Sequence, residues 1–303
     1  MPLYLPQLSR REFLKRAAFA GAAAGFAPSS YAGFFGKSRD KNTFAFFSDP
    51  HVAADAAQKQ GEVNMADHLA ACVRELAAWP VKPGAVIVNG DLAFKTGLAG
   101  DYATFGKYIE PVRALAPIYL TLGNHDDREN FWTAFPQDAM TLKNVPQKQV
   151  AEFSSDRANW FLLDSLDKTN STPGELGTSQ LEWLAQELAA RPDKPAIIVG
   201  HHNLQVSGAV AGIKDTAALE EIFAQHLQVK AYVYGHTHNF HFEPHTSGVH
   251  LINLPPTGYV FKAGRPSGWV RCSLGRDGAE FELRSLDPKH SEHAKVKKLE
   301  WRT

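Results

Sequence analysis

Cysteine is scarce, with only Cys72 and Cys272 in 303 residues and no Cys-x-x-Cys spacing. That excludes a fold stapled by several disulfides and a thiolate-bound structural zinc. The expectation is two buried thiols packing as small hydrophobes, with one long-range disulfide as the alternative. Net charge is also lacking, because Lys+Arg and Asp+Glu each number 32. Without basic clustering, a nucleic-acid or anionic-membrane partner is not expected. No stretch after the N-terminal segment is apolar for long enough to cross a bilayer. Internal repeats, low-complexity tracts and clear linkers are absent as well, so residues 33–303 are expected to form a single domain.

The first 32 residues differ from the rest. Ser9-Arg10-Arg11-Glu12-Phe13-Leu14-Lys15 leads into the mild apolar run from Ala17 to Ala27, followed by Ser30-Tyr31-Ala32. A basic head, a short weak hydrophobic segment and small residues at −3 and −1 describe a cleavable export signal. The Ala/Gly run offers no polar face, which argues against an amphipathic first helix. The adjacent arginines before Phe-Leu-Lys resemble a twin-arginine signal. That resemblance implies a partner in the twin-arginine export machinery and a periplasmic or secreted protein, exported folded. Without residues 1–32 the chain has 28 basic and 31 acidic residues, a net charge of −3.

From Lys41 onward, apolar runs of strand type alternate with helical spacing, as in α/β folds. Strands are expected over 43–47, 85–88, 116–122, 196–199 and 230–234, and helices over 65–78, 102–114, 179–190 and 216–226. Residues 150–154 and 159–164 suggest a hairpin. Further β-type segments follow at 241–244, 249–254, 269–274 and 280–285, and the charged stretch 289–303 is read as a surface strand or loose tail. Strands on both sides of the helical segments suggest two sheets packed face to face with helices outside.

Five of these strands end in polar residues that build a core poorly and bind metals well. They deliver Asp49, His51, Asp91, Asn124, His201, His236 and His238. Carboxylate, imidazole and amide oxygen form a ligand set for zinc, manganese or iron. Asp49/His51 and His236/His238 are spaced i, i+2, which in extended backbone points both side chains of a pair the same way. Each pair is therefore expected to converge on one centre. Seven ligands exceed what one catalytic ion needs and suit two ions bridged by a carboxylate, about 3.5–4 Å apart.

These residues stand as Asp49-Pro-His51, Gly90-Asp91, Gly123-Asn-His-Asp126, Gly200-His201 and Gly235-His-Thr-His238. In that order they resemble the pattern of the calcineurin-like metallophosphoesterases. The resemblance implies a four-layer αββα sandwich and hydrolysis of a phosphate ester. It would assign Asp49, His51 and His238 to the first ion and Asn124, His201 and His236 to the second, with Asp91 bridging. His125 would be the catalytic residue, contacting the phosphate or protonating the leaving oxygen. Two divalent or mixed-valence ions (manganese, iron or zinc) would supply a hydroxide near neutral pH. Purple acid phosphatases of the superfamily carry a ligating Tyr three residues after the bridging Asp; Phe94 stands there instead, which removes the basis for a tyrosinate-bound ferric ion.

Other residues carry open alternatives. His202 is adjacent to the ligand candidate and could support it; Asn203 follows where small-molecule phosphodiesterases often have Pro. Asp126 could orient His125 or staple the turn. Arg128 could reach a phosphate or form a salt bridge at a helix start. The Pro/Gly-rich segment 254–268 could wall the site through Tyr259 or Phe261, or pack as a loop. One of His241, His245 and His250 could back the metal shell, whereas His68, His226, His290 and His293 are read as uninvolved. Gly123-Asn-His-Asp-Asp127-Arg128 resembles the cyclic-nucleotide and glycerophosphodiester branch more than the protein phosphatases, and that resemblance implies a small-molecule phosphodiester substrate. A phosphomonoesterase with the same centre is the alternative. A metal- or phosphate-binding protein without turnover would have no use for His125.

Overall fold

The computed structural model describes residues 39–206 and 210–303. The expected twin-arginine signal at residues 1–32 lies outside them.

Alternation along the strands builds the architecture. In β1 (Arg39–Ser48), Phe44 and Phe46 enter one apolar core, whereas Ala45 and Phe47 enter another. The same division runs through β4 (Lys82–Asn89), with Ala85 and Ile87 on one face and Val86 and Val88 on the other. A strand buried on both faces has apolar residues at every position, which explains the unbroken runs in the sequence. Two cores served by one strand require a layer on each side of its sheet.

The first sheet is completed by β5 (Ile118–Thr121), parallel to β4, and by β12 (Gly268–Leu274), β13 (Gly278–Ser285) and β14 (Val296–Glu300), which continue antiparallel from β1. Its order is β14-β13-β12-β1-β4-β5. The second sheet joins β10 (His241–Pro244), β11 (His250–Asn253), β9 (Val229–Tyr234), β8 (Ala196–Val199), β7 (Asn159–Leu162) and β6 (Ala151–Ser154), in that order. Both sheets are mixed. Between them, Phe44 and Phe46 meet Trp160, with ring centroids 4.3 and 6.0 Å apart. A two-stranded ribbon, β2 (Lys59–Gln60) and β3 (Val63–Asn64), sits outside both sheets.

Helices cover the outer faces. On the first sheet lie α1 (Met65–Ala78), α2 (Ala99–Arg113) and α3 (Arg128–Ala134), which contribute Leu69, Val73, Phe105, Ile109 and Phe131 to its outer core. On the second lie α4 (Thr178–Ala190) and α5 (Thr216–Gln225), through Trp183, Leu184, Leu188, Leu219 and Phe223. The result is the expected four-layer αββα sandwich. Asn64 caps α1 by accepting from the Asp67 amide at 2.9 Å, and Asp127 caps α3 through Asn130. Both cysteines are free and buried. The charged C-terminal stretch is a strand rather than a loose tail: β14 pairs with β13 from Val296 to Glu300.

In each sheet the parallel strands β1, β4, β5, β8 and β9 send their C-terminal ends toward loops that carry the polar residues. The ends of open α/β sheets are where ligands are placed.

Candidate metal centre

The loops after β1 and β4 prolong the pairing of their strands. The amides of Asp49, His51 and Val52 donate to the carbonyls of Gly90, Asp91 and Leu92 at 3.2, 2.9 and 3.0 Å. This sets Asp49 and His51 beside Asp91. The backbone there is not extended, as the i, i+2 argument assumed. Asp49, His51, Asp91, His236 and His238 all have positive φ, from 48 to 63°. Non-glycine residues rarely adopt this left-handed region, and each instance costs free energy that the surroundings must offset. Asp49 and His51 do converge, but His236 and His238 diverge into separate groups.

Those groups are Asp49, His51, Asp91 and His238, and Asp91, His201 and His236. In each, one ligand atom per residue lies within 4.8 Å of the others, and every member is buried. Asp91 stands in both. Asp91 thus lies between the two groups.

Backbone carbonyls decide which imidazole nitrogen faces inward. His51 Nδ1 donates to Phe94 O at 3.3 Å, His238 Nδ1 to Tyr259 O at 2.5 Å and His201 Nδ1 to Asn89 O at 3.0 Å. Their Nε2 atoms are thereby the ones turned toward the carboxylates, and in the neutral ring each would offer a lone pair. His236 is reversed: its Nε2 donates to Ala211 O at 3.0 Å, so Nδ1 faces the group. Such outer partners fix tautomer and ring orientation. Carbonyls carry no residue signature, and so no local pattern points to Phe94, Asn89, Ala211 or Tyr259 in this role.

Several observations fit a pair of cations. The Nε2 atoms of His51 and His238 face each other at 2.9 Å, an arrangement of two lone pairs that a shared cation would stabilise. His201 Nε2 and Asn124 Oδ1 are buried without hydrogen-bond partners, both among the residues expected to hold the second ion. Asp49 accepts from Ser48 Oγ and from the His236 amide (3.0 Å to Oδ1), and lies 3.4 Å from His238 Nε2. At Gly123 any side chain would intrude, since a Cβ would sit 2.6 Å from His201 Nε2 and closer still to Asp91 Oδ1.

Without cations the site organises itself around one proton. Burial opposes charge on His201, but Asp91 (Oδ2 3.3 Å away) and Asp49 outweigh it and push its pKa up to about 10. Burial would raise both carboxylates; the facing imidazoles, His201 foremost, instead hold Asp49 below and Asp91 well below the ordinary range. Burial pushes His51 down to about 3, and burial together with the charge on His201 takes His236 to about 4. Anionic carboxylates and neutral imidazoles are the forms in which these groups bind metal.

His125 joins neither group. Its amide donates to Asp91 Oδ1 at 2.8 Å, its Nδ1 donates to Lys95 O at 2.8 Å, and its half-buried ring meets His51 edge-on with centroids 5.2 Å apart. Nε2 is left without a protein partner beside the first group. Asp126 does not orient it. Its carboxylate is fully buried and accepts from the amides of Leu92, Ala93 and Gly123 and from Tyr102 Oη, which staples the turn. Arg128 forms the helix-start salt bridge, bidentate to the buried Asp164 at 2.7 and 3.0 Å.

His202 is buried, with Nδ1 2.8 Å from Ser165 Oγ and its ring 4.6 Å from that of His236. It packs behind a ligand candidate rather than among them. His241, His245 and His250 lie outside both groups, and the last two contact Glu220 and Glu300 O. His68, read as uninvolved, donates from Nδ1 to Gly258 O at 2.7 Å and so anchors the loop that carries Tyr259.

The calcineurin-like phosphoesterase family model matches residues 43–240. A 3′,5′-cyclic-nucleotide phosphodiesterase of Nostoc sp. is 26% identical over 226 residues, 73% of this chain and 80% of the relative. A probable glycerophosphodiester phosphodiesterase of Arcobacter nitrofigilis is 28% identical over 246 residues, 78% of this chain and 83% of the relative. Among solved structures, a dimetal phosphatase from Danio rerio superposes with a TM-score of 0.66 at 15% identity, covering 86% of this chain and 99% of the other, a likeness of fold. Matched by the family model from the first strand through both metal-ligand groups, the chain belongs to the calcineurin-like phosphoesterase family and is a phosphoester hydrolase.

Proposed function

We propose that the chain hydrolyses small-molecule phosphodiesters at a two-ion centre. Asp49, His51 and His238 would hold one ion, Asn124, His201 and His236 the other, and Asp91 both. The observation that carries this reading is the pair of ligand groups sharing Asp91, with His125 beside them but in neither. Two bound ions, each manganese, zinc or iron, would polarise the phosphate oxygens and acidify the attacking water.

The chain's own residues do the rest. The seven candidate ligands stand on five strand ends, which would set the positions of both ions before substrate arrives and so lower the reorganisation needed on binding. His125 is held through its amide by Asp91 and through Nδ1–H by the Lys95 carbonyl. Its Nε2 is thus free to deliver a proton to the departing alkoxide, the task of a general acid. Substrate class is supported by the relatives named as cyclic-nucleotide and glycerophosphodiester phosphodiesterases. Residues 1–32 are proposed as a twin-arginine signal and 33–303 as the mature domain, which places the enzyme in the periplasm or outside the cell.

Initial rates on bis(p-nitrophenyl) phosphate and p-nitrophenyl phosphate, with mature protein loaded separately with manganese, zinc and iron, test the reading. Preference for the diester is expected. Preference for the monoester would move the assignment to phosphatase, and no turnover with two ions bound would overturn the proposal.

A further inference from the structure

The loop after β11 turns back on the site. It is pinned by the amides of Thr257 and Gly258 donating to Ser48 O and Asp49 O at 2.7 and 3.0 Å. Its far end is tied by Thr257 Oγ1 to Gly268 O at 3.1 Å, and His68 holds the Gly258 carbonyl. Between these ties the Tyr259 carbonyl accepts from His238 Nδ1, and the Tyr259 ring packs 5.0 Å from His51 and 4.8 Å from His238.

Phe261 lies next along. Its ring stacks on His238 with centroids 3.9 Å apart and planes inclined by 6°. It is also 58% exposed, and among the described residues it is the one exposed aromatic side chain. Every other described Phe, Tyr and Trp is at least partly covered. One face of the ring is therefore spent on a metal-ligand candidate, and exposed area remains at the mouth of the site. An aromatic ring left in water costs free energy unless something stacks on it.

We propose that Phe261 is a specificity-determining residue, whose exposed ring receives the planar aromatic substituent of a phosphodiester held at the adjacent centre. This rests on the phosphodiesterase reading above and narrows it. The substrates favoured are those that carry a ring, of the nucleobase class, over those with only alkyl or glycerol groups. The stem of the loop is held by hydrogen bonds that do not involve the Phe261 side chain, so truncating the ring leaves the anchoring intact.

The test compares kcat/KM of manganese-loaded mature protein on 3′,5′-cyclic AMP and on glycerophosphoethanolamine, for wild type, Phe261→Ala and Phe261→Leu. One aromatic stack is worth about tenfold. The ratio of the two kcat/KM values is expected to fall about tenfold in F261A, mostly through KM for the nucleotide. F261L, which keeps apolar bulk without a planar face, should recover only part of it. Metal content and thermal melting are measured in each variant. If both substrates lose activity equally, Phe261 serves only to cap His238 and the proposal is overturned. It is also overturned if wild type cleaves only the ring-free diester. If wild type cleaves neither, the phosphodiesterase reading itself falls.

Discussion

Removing metal from the site should give the protein an unusual dependence of stability on pH. In the metal-free fold His201 keeps its proton to about pH 10, whereas in the unfolded chain it loses it near 6.5. A folded-state pKa that is raised contributes stability fully present below the unfolded value and lost as pH rises through the folded one. Between about pH 7 and pH 8.5 the native state therefore holds one more proton than the unfolded state. Linkage then requires stability to fall by ~1.4 kcal/mol per pH unit, or about 2 kcal/mol over the window. The slope depends on the proton count alone.

Other groups set the limits of that window. His51 (about 3), His236 (about 4) and His202 (well below the ordinary value) are neutral in both states above pH 7 and contribute nothing there. Burial also lifts Cys72 and Cys272 above the ordinary thiol range, which adds loss of the same sign above about pH 8.5. Below 6.5 the unfolded chain takes up protons on His51, His202 and His236 that the fold refuses. Asp126, pushed up to about 7 by burial and by Asp91, cancels one of the three. Stability should thus climb by ~2.7 kcal/mol per unit toward a maximum between pH 6.5 and 7. Urea unfolding in the presence of a chelator, repeated across pH, measures both limbs. Stability that is flat or rising between pH 7 and 8.5 would refute the reasoning. The descending limb should be absent in His201→Asn and in zinc-loaded protein, because a ligating imidazole carries no proton at its ligating nitrogen.

Three further outcomes follow from the same geometry, and a fourth from the proposed signal at residues 1–32. Truncating His125 (H125A) should lower kcat by about 10²–10⁴, the usual contribution of a general acid, with both ions still bound by metal analysis. Asn124→Ala removes the unpaired buried amide oxygen and should leave one ion per chain where wild type holds two. Gly123→Ala would drive a Cβ into Asp91 and His201, so metal titration should show weaker binding by at least the 10–100-fold seen when outer-shell supports are lost. The proposed twin-arginine signal predicts that wild type is recovered from the periplasm and that replacing Arg10 and Arg11 by Lys leaves the precursor in the cytoplasmic fraction; equal distribution of the two would overturn it.

What could be read from the chain was what depends on residue type and short-range order. Ala85-Val-Ile-Val88 is apolar throughout because β4 is buried on both faces, and its end in Asn-Gly-Asp marks where the chain leaves the sheet. The short helix α3 is marked only at its start, expected at Arg128 and capped by Asp127: at seven residues it is too brief to show a repeating apolar face. The finer chemistry of the site depends on long-range partners. His236 presents Nδ1, and not Nε2, because its other nitrogen meets Ala211 O, which lies 25 residues away. The left-handed backbone at Asp49, His51, Asp91, His236 and His238 was equally hidden, since local preference argues against it at every one of these residues. Five such conformations together cost about 5 kcal/mol or more, a large share of a domain's net stability. They persist because the loops after β1 and β4 are hydrogen-bonded to each other and the carboxylates accept neighbouring amides. Among the described residues Gln147, Asn170 and Ala294 share this backbone, but five of the eight such non-glycine residues are ones expected to bind metal, and it is there that rigid placement of ligands would repay the strain.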